Sequence, residues 1–512
     1  MISVPISSLP FVFQTKIISE KGNIVGYAAL IYHYKLSIPY PTKLSIVSVI
    51  NKKSDTLEQQ VFPIKYQPQE TLYHHLIFAL KYEGIQLLFF KALFRQISLH
   101  EIAAIVTNEP ASIYSRKIWF LYEFLMQEAL SVKDADTKIK YIELVDEDQQ
   151  YAISNGIKSA RHRIVNNLPG TVDFCPLVYK TPKLEAYILA NLSAKNKLHL
   201  QQIHKDILLR TSAFLLLKDS KASFSIEGEI PSSSRAVKWG NAIGEAGKNS
   251  LSAIELERLQ QIIIESNRFV KFGYRKQQGF VGDHDRESFQ PIPEHISARW
   301  QDIEGLMNGL LQTNELLEKQ QYHPVVAAAT IAFGFVFIHP FVDGNGRMHR
   351  YIIHHILSKY GFTPQGIIFP VSAAILQNIV SYKKVLENYS QSILPFIEWK
   401  ATNDNNVEIL NNTKEFYQYF DATAQTEFLF DCINETIEQI IPNEVNYLIK
   451  YDEFKQWINN EFEMPDKLIA LLVRFLEQGN GTLSKRTIEK EFANFTEREV
   501  QEVENKYTEI FK

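Results

Sequence analysis

Cysteine is scarce in this chain of 512 residues: there are two, Cys175 and Cys432, far apart in sequence. That excludes a disulfide framework and leads us to expect two buried free thiols in a reducing cytosol. No apolar run approaches the about 20 residues that span a bilayer. The first residues, Met1-Ile2-Ser3-Val4-Pro5, carry no basic n-region, so neither a membrane partner nor a signal peptide is expected and the location is expected to be cytoplasmic. Excess charge is also lacking: a formal net charge of −4 gives no electrostatic case for nucleic acid. With 45% apolar and 22% charged residues, the chain reads as globular rather than disordered, long enough for roughly two to four domains.

The longest apolar run, Val325 to Ile338, lies between Pro324 and Pro340. It has no alternation and several alanines, so it reads as a buried helix. Pro340 disfavours a helical conformation at His339, and the helix should end there. The next stretch is His339-Pro340-Phe341-Val342-Asp343-Gly344-Asn345-Gly346-Arg347-Met348-His349-Arg350. Its Asp-Gly and Asn-Gly pairs are turn formers. From Arg347 onward Met348, Ile352 and Ile356 recur at helical spacing, which makes the unit helix, loop, helix. Glycines entering a helix N-terminus let backbone amides converge on an anion. Two arginines in that first turn oppose the helix dipole unless a polyanion lies before them. Each residue has a bland reading: His339 as a helix-terminal residue, Asp343 as a turn former, the arginines as a solvated face. Those readings do not explain why all of them coincide.

The stretch matches in full the signature of the Fic family, HPFxxGNGRxxR, and with Asp343 makes nine identities at fixed spacing. Chance would give that about once in 10¹¹ to 10¹² positions. The resemblance implies a mainly α fold with a helical core and a β-hairpin flap, and transfer of AMP from ATP to a hydroxyl of a target protein. It implies His339 as general base and Asp343 as the Mg²⁺ ligand. Gly344, Asn345 and Gly346 would form an anion hole for the α-phosphate, with Arg347 and Arg350 on the β- and γ-phosphates and Phe341 part of the nucleotide site. Neutral imidazole near pKa ~6.5 can take a proton at cellular pH, and Mg²⁺ suits a hard carboxylate that leaves room for water and phosphate.

Upstream, helical periodicity resumes at Leu184 and runs from about Leu198 to Ile226, closing on Ser223-Phe224-Ser225-Ile226-Glu227-Gly228. This resembles the Fic inhibitory motif, S/T-x-x-x-E-G/N, although Gly228 is also a normal helix C-cap. The resemblance implies that Glu227 pairs with Arg350 and displaces the γ-phosphate. An acid at a helix C-terminus and a cation at a helix N-terminus are each mildly misplaced, and pairing them would relieve both.

Between these motifs, an amphipathic helix is expected over Leu251 to Phe269. The glycine-punctuated segment Gly273 to Gly282 then resembles the family's target-docking flap, with Gly279, Phe280 and Val281 at its centre. Pro291-Ile292-Pro293-Glu294 should open a helix to about Glu318. The histidines His349, His354 and His355 lack metal-ligand spacing.

Domains are expected at 1–184, an α+β module; 185–405, the Fic domain; and 406–512, a helical, winged-helix-like module. In the first, Ile24–Tyr34, Lys43–Ile50 and Gln60–Tyr66 suggest a small antiparallel sheet, and Thr71–Leu130 packed helices. In the last, Lys485, Arg486 and Lys490 are offset by Glu489 and Glu491, which favours protein interaction, such as a homo-oligomer, over a DNA-binding regulator. Transfer of another phosphate-containing group, or removal of AMP, is the alternative within the fold.

Overall fold

The computed structural model describes all residues except 1–4, 8–11, 14–15, 18–21, 50–52, 57, 202, 265–267, 269 and 364–368. By contact it divides into two discontinuous units. One comprises Met1–Leu189, Glu245–Phe362 and Asn378–Asp431; the other Ala190–Gly244, Thr363–Gln377 and Cys432–Lys512. These differ from three consecutive segments, because packing ignores chain order.

The first unit opens on a two-residue pair, β1 (Val12–Phe13) and β2 (Lys16–Ile17). A mixed sheet follows: β3 (Gly22–Ile24), β4 (Leu44–Ser48), β5 (Ser54–Asp55) and β6 (Gln59–Pro63), in the order β3-β4-β6-β5. Two expectations are corrected here. The pair β4·β6 is parallel, Leu44 opposite Gln59 through Ser48 opposite Pro63, and all five residues of β4 are buried, as doubly covered strands are. Gly26–His33 is a helix, α1, although its Tyr and Ile content suggested a strand. Its first six residues are buried, so it shows no amphipathic period, and a short buried helix cannot then be told from a buried strand. Gly26, at φ +68°, turns the chain into α1, and a Cβ there would run into the Glu83 carboxylate. Glu83 Oε2 accepts from Tyr27 N at 2.8 Å.

Helices α2 (Leu72–Tyr82), α3 (Leu87–Gln96), α4 (Leu99–Asn108) and α5 (Ile113–Met126) pack on one another. A small three-stranded sheet, β7 (Ile142–Glu143), β8 (Ile157–Ser159) and β9 (Ile164–Asn166), follows in the order β7-β9-β8. Then come α6 (Pro182–Leu189) and the second unit's first helices, α7 (Leu192–Gln201), α8 (Lys205–Ile226) and α9 (Ser233–Gly244). The helix expected from about 198 is therefore interrupted: α7 ends at Gln201, and His204 caps α8, its ring nitrogen accepting from Asp206 N at 3.4 Å.

Back in the first unit, α10 (Ala253–Ile264) covers part of the helix expected to Phe269; 265–267 and 269 lie outside the described residues. An antiparallel hairpin, β10 (Phe280–His284) and β11 (Pro291–Ile296), precedes α11 (Ile303–Lys319), α12 (Pro324–Ile338) and α13 (Asn345–Lys359). The expectation that Pro291 opens a helix is corrected. Ile292 O and Glu294 N are the backbone atoms facing Gly282 across the ladder, so Pro291 and Pro293 turn their donorless nitrogens to the other edge, where a strand tolerates proline. After α14 (Val371–Gln377) of the second unit come α15 (Ile379–Ile393), the pair β12 (Trp399–Ala401) and β13 (Val407–Ile409), α16 (Lys414–Gln418) and α17 (Thr423–Glu435).

The core of the first unit is α12, buried along nearly its whole length and flanked by α11 and α13. The N-terminal module is keyed into it. A Cβ on Gly334 would lie 2.3 Å from the Phe174 ring and one on Gly309 2.7 Å from Asp173. Thr313 Oγ1 donates to Phe174 O at 2.6 Å.

The second unit ends in α18 (Ile441–Phe462), α19 (Asp466–Gln478), α20 (Lys485–Glu491) and α21 (Glu497–Phe511), around a core that includes Phe454, Leu472 and Val503. No strand follows Ile409, so this region is helical without a wing. No helix among the described residues is long and apolar enough to cross a membrane.

Candidate active site

Helix α12 ends where Pro340 requires. His339 is its C-cap in the left-handed region, φ 54°, and donates its N–H to Phe335 O at 3.0 Å. A non-glycine residue held there marks an imposed conformation. Its Nδ1 lies 3.3 Å from Val336 O; with Nδ1 donating to that carbonyl, the lone pair sits on Nε2. Desolvation, with His295 and the Arg275 guanidinium adding, pushes the imidazole pKa down to about 3. The ring is neutral at every physiological pH.

The loop that follows is locked by its own asparagine. Asn345 Oδ1 accepts from Phe341 N at 3.0 Å and its Nδ2 donates to Phe341 O at 2.8 Å. Phe341 is buried between Tyr274 and Phe335. Gly344 adopts φ 92° as the N-cap of α13, a conformation suited to glycine. The first i→i−4 bond of α13 is Met348 N to Gly344 O at 2.9 Å. The amides of residues 345–347 therefore have no intrahelical acceptor and stand at the positive end of the helix dipole.

Arg347 in this first turn and Arg350 in the next are buried. Asp343 Oδ1 accepts from Gly344 N at 2.5 Å and lies 3.3 Å from Arg347 Nη2, while its side chain stays half-exposed. His349 and His355 make packing contacts: His349 Nδ1 meets Ala332 O at 2.8 Å and His355 Nδ1 accepts from Gly247 N at 3.3 Å. Among the described residues no group of three or more His, Cys, Asp or Glu could hold a metal ion. A Mg²⁺ here would rest on the Asp343 carboxylate and on substrate phosphates, which fits an ion that keeps most of its oxygens from water and nucleotide.

The flap faces His339 across a cavity of about 310 Å³, lined among others by Gln278, Gly279, Phe280, Ser297, Phe341 and Asn406. Phe280 opposes Ile296 and Val281 opposes His295, with a bulge before Gly282, whose φ is 149°. The tip of the β12–β13 hairpin fastens the flap: Asn406 Nδ2 donates to Gln278 O at 2.9 Å, and His284 Nε2 meets Asn405 O at 2.8 Å.

Two residues that carry this geometry escaped the sequence reading. Arg275 is 5% exposed. It donates to His339 O at 2.8 Å, Gln277 O at 2.7 Å, Ile338 O at 3.4 Å and Ala298 O, and its own N–H bonds Pro340 O at 2.8 Å. One side chain thus ties the motif loop to the flap. Gln260, fully buried on α10, donates to Asp343 O at 3.2 Å and accepts from Gly273 N at 2.9 Å. Its signal was available: a polar residue in the apolar stripe of Leu256, Leu259 and Ile263. Arg275 had none, because its partners are backbone carbonyls remote in sequence.

The structure gathers His339, Phe341, Asp343, Gly344, Asn345, Gly346, Arg347, Arg350, Gly279, Phe280 and Val281 in the first unit. Ser223, Glu227 and Gly228 belong to the second. There Ser223 is buried, Glu227 caps α8 and is exposed, and Gly228 closes the helix at φ 74°. Helix α8 is built firmly into its unit: Asp219 Oδ1 accepts from Ser372 N at 2.6 Å, Ser220 Oγ donates to Ala236 O at 2.6 Å, and Arg210 pairs bidentately with Asp452.

Residues 250–357 match the Fic/DOC family. Among curated proteins the chain is similar to a protein adenylyltransferase Fic of Nematostella vectensis, 30% identical over 175 residues, covering 34% of this chain and 37% of the relative. A protein of the same name from Drosophila grimshawi is 26% identical over 273 residues, 47% of this chain and 54% of that one. The chain thus spans about a third to a half of the length of these relatives. A solved Fic family protein from Desulfovibrio desulfuricans G20 is 19% identical, with a TM-score of 0.36, over 62% of this chain and 89% of its own.

Proposed function

Since the chain belongs to the Fic/DOC family through residues 250–357, we propose that it is a protein adenylyltransferase. The reaction joins the hydroxyl oxygen of a Ser, Thr or Tyr on a target protein to the α-phosphorus of ATP, breaks the α–β phosphoanhydride bond, and releases pyrophosphate and a proton. The observation that carries this reading is the juxtaposition, in one locked loop, of a neutral imidazole beside a cavity with the open N-terminus of α13.

Each residue then has one task. His339 Nε2 takes the hydroxyl proton; it meets the requirement of being unprotonated. The amides of Asn345 and Gly346 offer donors to the α-phosphate oxygens as charge develops there, with Gly344, whose own N–H is held by Asp343 Oδ1, shaping the turn that presents them; preorganised donors are the largest source of such stabilisation. Arg347 and Arg350 engage the outer phosphates, whose transfer into a buried site needs guanidinium partners. Asp343 would hold Mg²⁺, which supplies charge neutralisation on the phosphates when bound. The flap edge orients the target backbone by strand pairing. Glu227, at the end of α8, competes with the γ-phosphate for Arg350 and restrains the reaction.

Incubation with ATP labelled on the α- or the γ-phosphate tests the assignment. Retention of α-label on protein is the expected result. Retention of γ-label, or of neither when Glu227→Gly is used, refutes AMP transfer and moves the case to another phosphate-containing donor.

A further inference from the structure

Away from the catalytic loop, the first unit encloses a second cavity of about 270 Å³. It lies between the turn at Pro39–Thr42, the start of α3, and α15, α16 and the start of α17. Its walls are aromatic: Tyr40, Tyr179, Tyr389, Phe416, Tyr419 and Phe420. The phenols of Tyr389 and Tyr419 turn to backbone carbonyls, Phe416 O and Val172 O, which leaves their rings to the cavity.

No lysine, arginine or histidine lines this space. Two acceptors do. Asp421 uses Oδ1 on the entry to α17, accepting from Thr423 N at 2.9 Å and Thr423 Oγ1 at 2.5 Å; its Oδ2 has no partner among the described residues. Gln425, one turn on along the same face, is 3% exposed, and its Oε1 has no hydrogen-bond partner. A buried acceptor left without a donor, as at Gln425 Oε1, is rare and calls for an occupant, whereas Asp421 is exposed. Surrounding protein desolvates Asp421 and pushes its carboxyl above the usual range, although the residue keeps exposed surface. Its carboxylate lines the cavity and is open to solvent.

We propose that this cavity binds a small organic ammonium ion. Its N–H groups would donate to Asp421 Oδ2 and Gln425 Oε1, and its cationic and apolar surface would lie against the aromatic walls, whose faces attract cations. The site is independent of the catalytic reading but is coupled to the catalytic loop by contact. Tyr389 stacks on Phe337 at 3.7 Å and Phe420 meets it edge-on at 5.3 Å, and Phe337 lies two residues before His339. An occupant that orders Tyr389 and Phe420 thereby steadies the seat of the base.

Titration calorimetry on the full chain tests the proposal with three probes of one shape: 2-phenylethylammonium, neutral 2-phenylethanol and anionic phenylacetate. The cation is expected to bind roughly ten-fold or more tightly than either of the others. Asp421→Asn, which keeps an acceptor for the Thr423 cap, should weaken it by about ten-fold, and Ala424→Phe, which fills the cavity, should abolish binding. Equal binding of the alcohol, absence of any binding, or full binding by Ala424→Phe would each overturn it. If Asp421→Asn fails to fold, the ratio among the three probes on the wild-type protein decides.

Discussion

Replacing Arg275 by methionine should both loosen the fold and misplace His339, the proposed base. The guanidinium is buried, has no carboxylate partner among the described residues, and holds four carbonyls: His339 O, Ile338 O, Gln277 O and Ala298 O. A buried carbonyl left without a donor costs about 1–3 kcal/mol. Against that loss stands the desolvation of the guanidinium, which pushes its pKa from 12.5 down to about 10; relieving it returns about 3 kcal/mol at ~1.36 kcal/mol per unit. Ile338 O keeps a second donor, Ala298 N at 3.3 Å, so the loss falls on three carbonyls, about 3–9 kcal/mol together, and the balance is a destabilisation of up to about 6 kcal/mol, a range that contains the ~3–5 kcal/mol usual for breaking a buried charged network. Activity should fall further than stability explains. Two of the four carbonyls belong to Ile338 and His339, and a shift of about 1 Å in a reacting group costs around 10²-fold. Urea unfolding gives the first quantity, and α-phosphate labelling well below the melting temperature the second. Arg275→Lys keeps the charge but not the fork, and should fall between. A methionine variant within about 1 kcal/mol of wild type, with unchanged labelling, would refute the reasoning.

Three further outcomes follow from the same geometry. His339→Ala should lower labelling by about 10²–10⁴-fold, the span of general-base contributions, with nucleotide affinity largely kept; persistent labelling would remove its role as base. Glu227→Gly should raise labelling by roughly 5- to 150-fold, the range of a coupling of ~1–3 kcal/mol, and an unchanged rate in the folded variant would discard the restraint. Stability should fall with acid. Burial lowers the pKa values of His295 and His355 to about 4 and those of His339 and His349 to about 3, so below about pH 6.5 the unfolded chain binds protons that the folded chain does not. The contribution is present above pH 6.5 and is lost progressively towards pH 4. Glu83, raised to about 7 by desolvation, works the other way as a single group. Calorimetry showing a melting temperature that is flat between pH 7 and 5 would contradict this.

The geometry of the motif loop was legible because its constraints are local. Pro340 ends α12, Gly344 supplies a positive φ, and Asn345 reaches only four residues back to Phe341. The flap was half legible. Gly279 to Val281 declared a turn-prone strand, but the prolines at 291 and 293 read as a helix start, since only the open edge of β11 makes them acceptable. In the N-terminal module, α1 was hidden because burial on all sides erases the period that separates helix from strand. Arg275 was illegible for another reason: its partners are carbonyls, which every residue carries.

The fit of Phe174 against Gly334 bears on where this protein can be cut. The segment matched to the family begins at residue 250, yet the ring that occupies the notch on its central helix arrives from far upstream. A fragment beginning at 250 would carry the whole catalytic signature and an unfilled hollow of aromatic size against α12, a defect of the kind that costs about 3–5 kcal/mol. The recognisable motif and self-sufficient folding therefore have different borders in this chain, and the upstream segment is a structural component of the domain it precedes.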